Sequence, residues 1–380
     1  MRQGNGRDEG ERETGPARQQ RDTAAEFGHI RIVVRSGHGE GLSRGRARGA
    51  RGGRVLGRYT RGMRAGNHVV ITDSGLGGLA VCAALEQGLR AARAPGGIRL
   101  TYVNAWPFED RGYNDLPDVA ARARVFDSAL GRMAAMRPDR IVIACNTLSI
   151  LYPHTDFSRA AEMPVLGIVD AGVDLFTERL CDNPGSSIVL TGTKTTIESG
   201  AHRDLLAARG IDPARVAAVA CHGLAAAIER DVDGPRTAEL LDACAARAAG
   251  ATPPGSTLYL GLCCTHYGYV AGRFVEALAA KTGRQVRALD PGSRLVDQLL
   301  TGGAFAAAGK PGSAGGEARA ARDSGAVDES AVGAIRPRSG ITVDVLSNVE
   351  LSEAARHAIA RLIEPVSPAS AYALLSYARL

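Results

Sequence analysis

Two cysteines stand at the ends of apolar runs, in Ile141-Val142-Ile143-Ala144-Cys145-Asn146-Thr147 and in Leu258-Tyr259-Leu260-Gly261-Leu262-Cys263-Cys264-Thr265-His266. An apolar run ending in a thiol, then an amide or hydroxyl, then a helix-like stretch sets sulfur at the carboxyl end of a parallel strand. Open α/β sheets bind ligands there. A single thiol of this kind is as readily a small buried hydrophobe. Two of them, about 120 residues apart in matching settings, suggest one site faced from opposite sides by two acid/base groups. A helix start after Cys145 would lower the pKa of its thiol. Beside Cys264, the imidazole of His266 can stabilise or reprotonate a thiolate. Cys263 points the other way if its strand continues and is assigned to packing, and Cys82 falls on a helix face as core. Cys181, Cys221 and Cys244 carry no such context.

Thr72-Asp73-Ser74-Gly75-Leu76-Gly77-Gly78 supplies a third element between a strand and a helix. Its glycines would let the backbone approach a ligand or simply make a structural turn, and Asp73 at the strand tip offers a carboxylate for proton handling or amine binding. No Gly-Lys-Ser/Thr follows, and the pattern is not Gly-x-Gly-x-x-Gly, so neither a P-loop nor a dinucleotide fingerprint is present. The histidines and cysteines lack metal-ligand spacing, and Gly-x-Ser-x-Gly is absent, so no metal is expected and a serine hydrolase is disfavoured. On residue types alone, a Cys–His hydrolase with His266 as base stays open.

The elements that must position these groups alternate along the chain. Apolar runs predict strands at 69–72, 99–103, 140–144, 165–168, 187–190, 216–219, 257–261 and 341–345. Periodic apolar spacing predicts helices over 79–93, 119–136 and 353–363. Such alternation implies mostly parallel, doubly wound sheets. The pattern strand, polar loop, helix, then strand–Cys–polar–helix occurs over 69–147 and again over 187–266, which predicts two similar α/β domains facing each other across a central cleft. The first would comprise 67–166 plus 286–380, with a flexible insertion rich in Gly, Ala and Ser at 302–340; the second would comprise 167–285.

Residues 1–66 hold fifteen arginines against seven acidic residues, a charge of +8, which leaves about −2 for the rest of a chain whose total is +6. With fifteen glycines and no period, this Arg/Gly-rich tail is expected to be disordered. It is the only part with any case for RNA binding, against the plainer alternatives of a solvated tail or a true start at Met63. No run of about 18 apolar residues predicts a membrane span. Seven cysteines without a Cys-x-x-Cys pair fit a reducing, cytoplasmic setting.

Asp73-Ser74-Gly75-Leu76-Gly77-Gly78-Leu79, Ala144-Cys145-Asn146-Thr147 and Cys264-Thr265-His266-Tyr267 together resemble the three signature motifs of the glutamate racemases, in the aspartate/glutamate racemase superfamily. Gly192-Thr193-Lys194-Thr195-Thr196-Ile197-Glu198-Ser199 is similar to the family's Ala-Thr-x-x-Thr-Val-x-Ser loop, and Cys221 to Glu229 falls where the family has a Cys-Pro segment leading to a Glu. The resemblance runs collinearly from about residue 69 to 300. It implies cofactor-independent racemisation of an acidic amino acid, L-glutamate to D-glutamate, as used in building cell-wall peptidoglycan. It further implies that Cys145 deprotonates the D-isomer and Cys264 the L-isomer, each assisted by Asp73 or His266. Ser74, Asn146, Thr147, Thr193, Thr196 and Thr265 would hold the carboxylate and amino groups.

Two departures stand out. The family's Pro-Tyr-Gly, which helps hold the distal carboxylate, is missing after Tyr102-Val103, and the family's Cys-Thr-His-Tyr-Pro ends here in Gly268. Arg111 and Tyr113, close to the missing motif, or Lys194 in the substrate loop, are the expected replacements. The rival readings are an aspartate, hydantoin or maleate-type isomerase, or a non-catalytic small-acid or RNA-binding regulator. A small-molecule amino-acid substrate is the expected partner, and a homodimer is left open.

Overall fold

The computed structural model describes residues 68–94, 97–302 and 340–380. The Arg/Gly-rich tail and all but the two ends of the expected insertion lie outside the described residues. In chain order the strands are β1 (His68–Asp73), β2 (Ile98–Asn104), β3 (Arg140–Ile143), β4 (Val165–Gly167) and β5 (Ser187–Gly192). They continue with β6 (Val216–Ala220), β7 (Thr257–Cys263), β8 (Gln285–Leu289), β9 (Ile341–Ser347) and β10 (Ala378–Arg379). Two sheets result, ordered β10-β9-β2-β1-β3-β4 and β6-β5-β7-β8. Every strand pair is parallel.

Parallel sheets covered on both faces need strands that are apolar throughout, and the central strands are. In β1, Val69 and Ile71 enter one core with the helix Leu79–Ala91, while Val70 enters another with Phe126 and Ile141. The second sheet repeats this division: Leu258, Leu260 and Leu262 of β7 point to one core, and Tyr259 and Cys263 to the other. Period-two alternation therefore sends Cys263 into packing and Cys264 to the opposite side, as expected from the sequence. Cys82 is likewise fully buried in the core of the first unit.

The two sheets share a topology. β2-β1-β3-β4 corresponds strand for strand to β6-β5-β7-β8, and β9 and β10 extend the first sheet alone. The chain crosses to the second unit through the helix Ile168–Asp182 and returns through the helix Pro291–Thr301. These two helices pack together, with Gly172 against the ring of Pro291, where a Cβ would stand 3.0 Å from Cγ. The boundary expected at 285/286 falls within β8, which pairs with β7. The second unit thus runs through Leu289. β8 exposes Gln285, Arg287 and Ala288, as an edge strand with one covered face does, and so lacks the apolar run that marks the central strands.

Candidate active site

Three strand ends converge. β1 ends in Asp73, Cys145 follows β3 by two residues, and Cys264 directly follows β7. All three line one cleft of about 430 Å³, together with Asn146, Thr147 and Thr193. Parallel strands put their carboxyl ends on one side of a sheet, so each unit presents its thiol to the same space.

The loop after β1 presses against the second unit. A Cβ on Gly77 would lie 2.4 Å from Thr265 Oγ1 and 2.8 Å from the backbone N of His266, and one on Gly75 would lie 2.9 Å from Glu229 Oε2. These glycines do not line the cleft. Their smallness admits the Thr265–His266 segment, the structural one of the two roles, glycine turn or ligand loop, that the sequence leaves open. Hydrogen bonds fix the contact: Thr265 Oγ1 donates to Asp73 Oδ2 at 2.7 Å, and the Leu76 N–H donates to Glu229 Oε2 at 3.0 Å. Tyr102 OH, donating to Gly75 O at 2.6 Å, holds the loop from behind.

Each thiol has its own partners. Cys145 Sγ lies 3.3 Å from Ser74 Oγ, which also reaches Asp73 Oδ1 at 3.5 Å. Cys264 Sγ lies 3.8 Å from His266 Nδ1, and His266 Nε2 lies 2.7 Å from Glu229 Oε2. Burial, then the Asp73 charge, pushes the Cys145 thiol well up, against the opposing hydroxyl of Ser74. The helix start lowers it as expected, through the Leu148 N–H, but desolvation of the buried sulfur outweighs that contribution. Burial also raises Asp73, opposed by His266 and by the Thr265 hydroxyl. At His266 burial works against the charge, yet the hydrogen bonds to Cys264 and Glu229 outweigh it and hold the imidazole well above its usual value.

A hydroxyl triangle closes the floor between the units. Thr147, Thr193 and Thr196 place their Oγ1 atoms 3.0 Å from one another. The sequence Thr193-Lys194-Thr195-Thr196 achieves this by starting a helix: Thr193 caps Lys194–Glu198, its side chain accepting from the Thr196 N–H.

The profile of the Asp/Glu/Hydantoin racemase family matches residues 70–299. The chain belongs to this family. The glutamate racemase of Corynebacterium diphtheriae is 29% identical over 204 residues, 53% of this chain and 69% of that protein. The glutamate racemase of Chlorobaculum parvum is 28% identical over 221 residues, 58% of this chain and 74% of that protein. Among solved structures, glutamate racemase isoform RacE1 from Bacillus anthracis superimposes with a TM-score of 0.53 at 18% identity, covering 78% of this chain and 94% of that one. The Francisella tularensis glutamate racemase in complex with D-glutamate gives 0.52 at 16% identity, with the same coverages. At such identities these structures establish the fold.

Within this family framework most of the expected site residues come together: Asp73, Ser74, Cys145, Asn146, Thr147, Thr193, Cys264, Thr265 and His266 line the cleft, and Thr196 is tied to it through the triangle. Arg111 and Tyr113 do not reach it. Arg111 turns outward, stacks its guanidinium 4.9 Å from the Phe108 ring centroid and faces Asp110. Tyr113 is buried in the core of the first unit, edge-on to Phe126, and its hydroxyl donates to Ala105 O. A buried hydroxyl must find a partner, and the backbone supplies one away from the cleft. Lys194 does line the cleft, as do Trp106, the single tryptophan, and Arg230. Sequence reasoning missed Glu229 as a site residue; its only signal was its place at the end of the Cys221–Glu229 segment.

Proposed function

We propose that the protein racemises an acidic amino acid, glutamate first among them, without a cofactor, using Cys145 and Cys264 as acid/base groups on opposite faces of Cα. The observation that carries this reading is the equivalent placement of the two thiols: each follows the same strand of a repeated unit, and both face one cleft. Inversion needs a base on one face and an acid on the other. One sulfur, as thiolate, takes the Cα proton and becomes a thiol; the opposite thiol gives its proton to the other face. The pair ends with its roles exchanged, so the reverse reaction uses the same groups.

A Cα proton beside a carboxylate is a weak acid, and the residues around the cleft answer that difficulty. Asn146 offers a donor, and the Thr147 and Thr193 hydroxyls offer donors by turning from their mutual hydrogen bonds, to a carboxylate whose charge grows as the proton leaves. Asp73, held by Thr265, faces the substrate ammonium and Cys145. His266, kept protonated by Glu229 and Cys264, supplies a positive partner for the charge that Cys264 carries as a base. By this reading Cys145 acts on the D-isomer and Cys264 on the L-isomer. With Arg111 pointing away, Lys194 and Arg230 are the side-chain cations on the cleft wall, and Lys194, beside Thr193 of the triangle, is the one we assign to a distal carboxylate. Supply of a D-amino acid to cell-wall peptidoglycan from the cytoplasm is the corresponding role.

The test is deuterium incorporation at Cα in D2O, followed by NMR across a panel of L- and D-amino acids. Exchange and inversion of glutamate are expected. Exchange on aspartate or a hydantoin instead would keep the two-thiol chemistry and replace the substrate; exchange on none would overturn the reading.

A further inference from the structure

His202 takes no part in the proton transfers above, yet it is enclosed and aimed at the site. It sits on the helix Ala201–Ala208 of the second unit, with its ring tilted against Phe176 at 6.5 Å between centroids. Its Nε2 lies 3.1 Å from Oδ1 of Asn146, which belongs to the first unit. Asn146 begins the helix Asn146–Leu151, is 2% exposed and lines the cleft. Its Nδ2 is buried and has no hydrogen-bond partner among the described residues. Buried amide donors are almost always paired, so an orphan on a cleft wall calls for a partner that the protein itself does not provide.

We propose that His202 is a positioning residue for substrate recognition: by donating Nε2–H to Asn146 Oδ1 it sets the amide so that Nδ2 is presented to a carboxylate oxygen of the substrate. A carboxamide oxygen only accepts and its nitrogen only donates, so whichever atom faces His202 decides what faces the cleft. With Oδ1 taken by the imidazole, the cleft meets a donor and selects an anionic or carbonyl oxygen. With the amide turned over, it would meet an acceptor and select an ammonium. Burial holds His202 at a pKa of about 4, so the ring is neutral and carries a single N–H, which this arrangement assigns to Nε2. The bond crosses between the units, so it also ties the orientation of Asn146 to the seating of the second unit on the first.

The substrate half of this inference rests on the reading of the cleft as an amino-acid site; the His202–Asn146 geometry does not. Two measurements separate them. Long-range 15N–1H NMR of the wild-type protein without ligand should show His202 as the Nε2–H tautomer; an Nδ1–H tautomer overturns the proposal whatever the enzyme acts on. In kinetics, His202→Leu should raise KM for glutamate about ten- to a hundred-fold, as loss of a well-set donor to a charged group does, with kcat changed far less. The same weakening should appear in glutamate binding followed by Trp106 fluorescence. His202→Gln, whose amide can donate to the same oxygen, should recover most of the loss. In an Asn146→Ala background His202→Leu should add less than about two-fold. An unchanged KM in His202→Leu, or full multiplication of the two effects, overturns the positioning role. A wild-type protein that neither binds nor exchanges glutamate defeats the substrate reading, while the tautomer still decides the hydrogen bond.

Discussion

The two half-sites descend from the same strand order but are furnished differently. At the carboxyl end of β3, Cys145 has a hydroxyl and a carboxylate for neighbours, Ser74 and Asp73. At the carboxyl end of β7, Cys264 has an imidazole backed by a carboxylate, His266 and Glu229. One sulfur is pushed towards the thiol by burial and a nearby negative charge; the other faces a ring held protonated. A repeated fold thus supplies opposition, two thiols across one cleft, without supplying equivalence. The substrate explains why equivalence is not wanted. An amino acid has no symmetry between its two faces, and in the proposed arrangement its ammonium brings a positive charge towards Asp73 while Cys264 must find its own.

Removing the thiols is the most severe way to break the comparison. Cys145→Ala and Cys264→Ala should each lower racemisation by about 10²–10⁴-fold, the range for loss of a positioned acid/base, because neither sulfur can act on the other's face. Exchange should separate them: Cys145→Ala should abolish washout from D-glutamate and Cys264→Ala from L-glutamate. Near-normal racemisation in either variant would refute the two-base mechanism. Cys82→Ala, within the core, should stay within a few-fold of wild type.

Glu229→Gln tests the asymmetry itself. It keeps the shape of the contact with His266 and the Leu76 N–H but removes the charge. Loss of a charge-assisted hydrogen bond predicts a decrease of about ten- to a hundred-fold in kcat/KM, equal in the two directions because the enantiomers are equally stable, with kcat falling more in the L-to-D direction where Cys264 is the proposed base. The pH profile gives the sign. In the wild type the imidazolium persists above the usual histidine range and is lost as pH rises through the raised pKa. Without Glu229 that loss comes at lower pH, so the alkaline limb of kcat for L-glutamate should move down while that of kcat for D-glutamate holds. Equal movement of both limbs would mean that His266 does not serve Cys264 in particular.

Much of this arrangement is legible in the sequence, and the reasons differ residue by residue. Val69 to Thr72 and Leu258 to Leu262 are apolar on both faces because both faces are covered, which makes the strands and their polar tips readable. Gln285–Leu289 is an edge strand with exposed positions, so it carries no apolar run, and the domain boundary was expected four residues too early. The pairing of Glu229 with His266 spans 37 residues and that of His202 with Asn146 spans 56, and no local period encodes contacts at those separations. Arg111 lies in sequence beside the missing Pro-Tyr-Gly, but nearness along a loop does not fix where a side chain points, and Phe108 draws it outward.

The apposition of the two halves can be loosened at a residue that itself transfers no proton. Gly77→Ala sets a Cβ against the Thr265 hydroxyl, which holds Asp73, and against both the ring and the backbone of His266, which serves Cys264, and the backbone cannot swing aside. Overpacking of this kind should destabilise the protein by about 1–3 kcal/mol in chemical denaturation. Because the strain falls where the first unit's loop meets the second unit's motif, kcat should fall in both directions alike. A change confined to one direction would assign the contact to a single half-site.

The smallest expected effects concern the part of the cleft where this chain departs from its family. Lys194 stands on the cleft wall beside Thr193, while Arg111 is turned to Phe108 and Asp110 outside it. Lys194→Ala should raise KM for glutamate about ten-fold, the lower end for a charge-assisted bond because the lysine is exposed and partly screened by solvent, and should leave kcat nearly intact. The increase should shrink at high ionic strength and should be absent for an amino acid without a distal carboxylate, which distinguishes a charge contact from a general distortion of the loop. Arg111→Ala should leave both constants within about two-fold, as surface changes away from a site do. If Arg111→Ala raised KM and Lys194→Ala did not, the loop between β2 and Gly112 would have to turn inward on binding, and the distal group would be held by the first unit instead of the second.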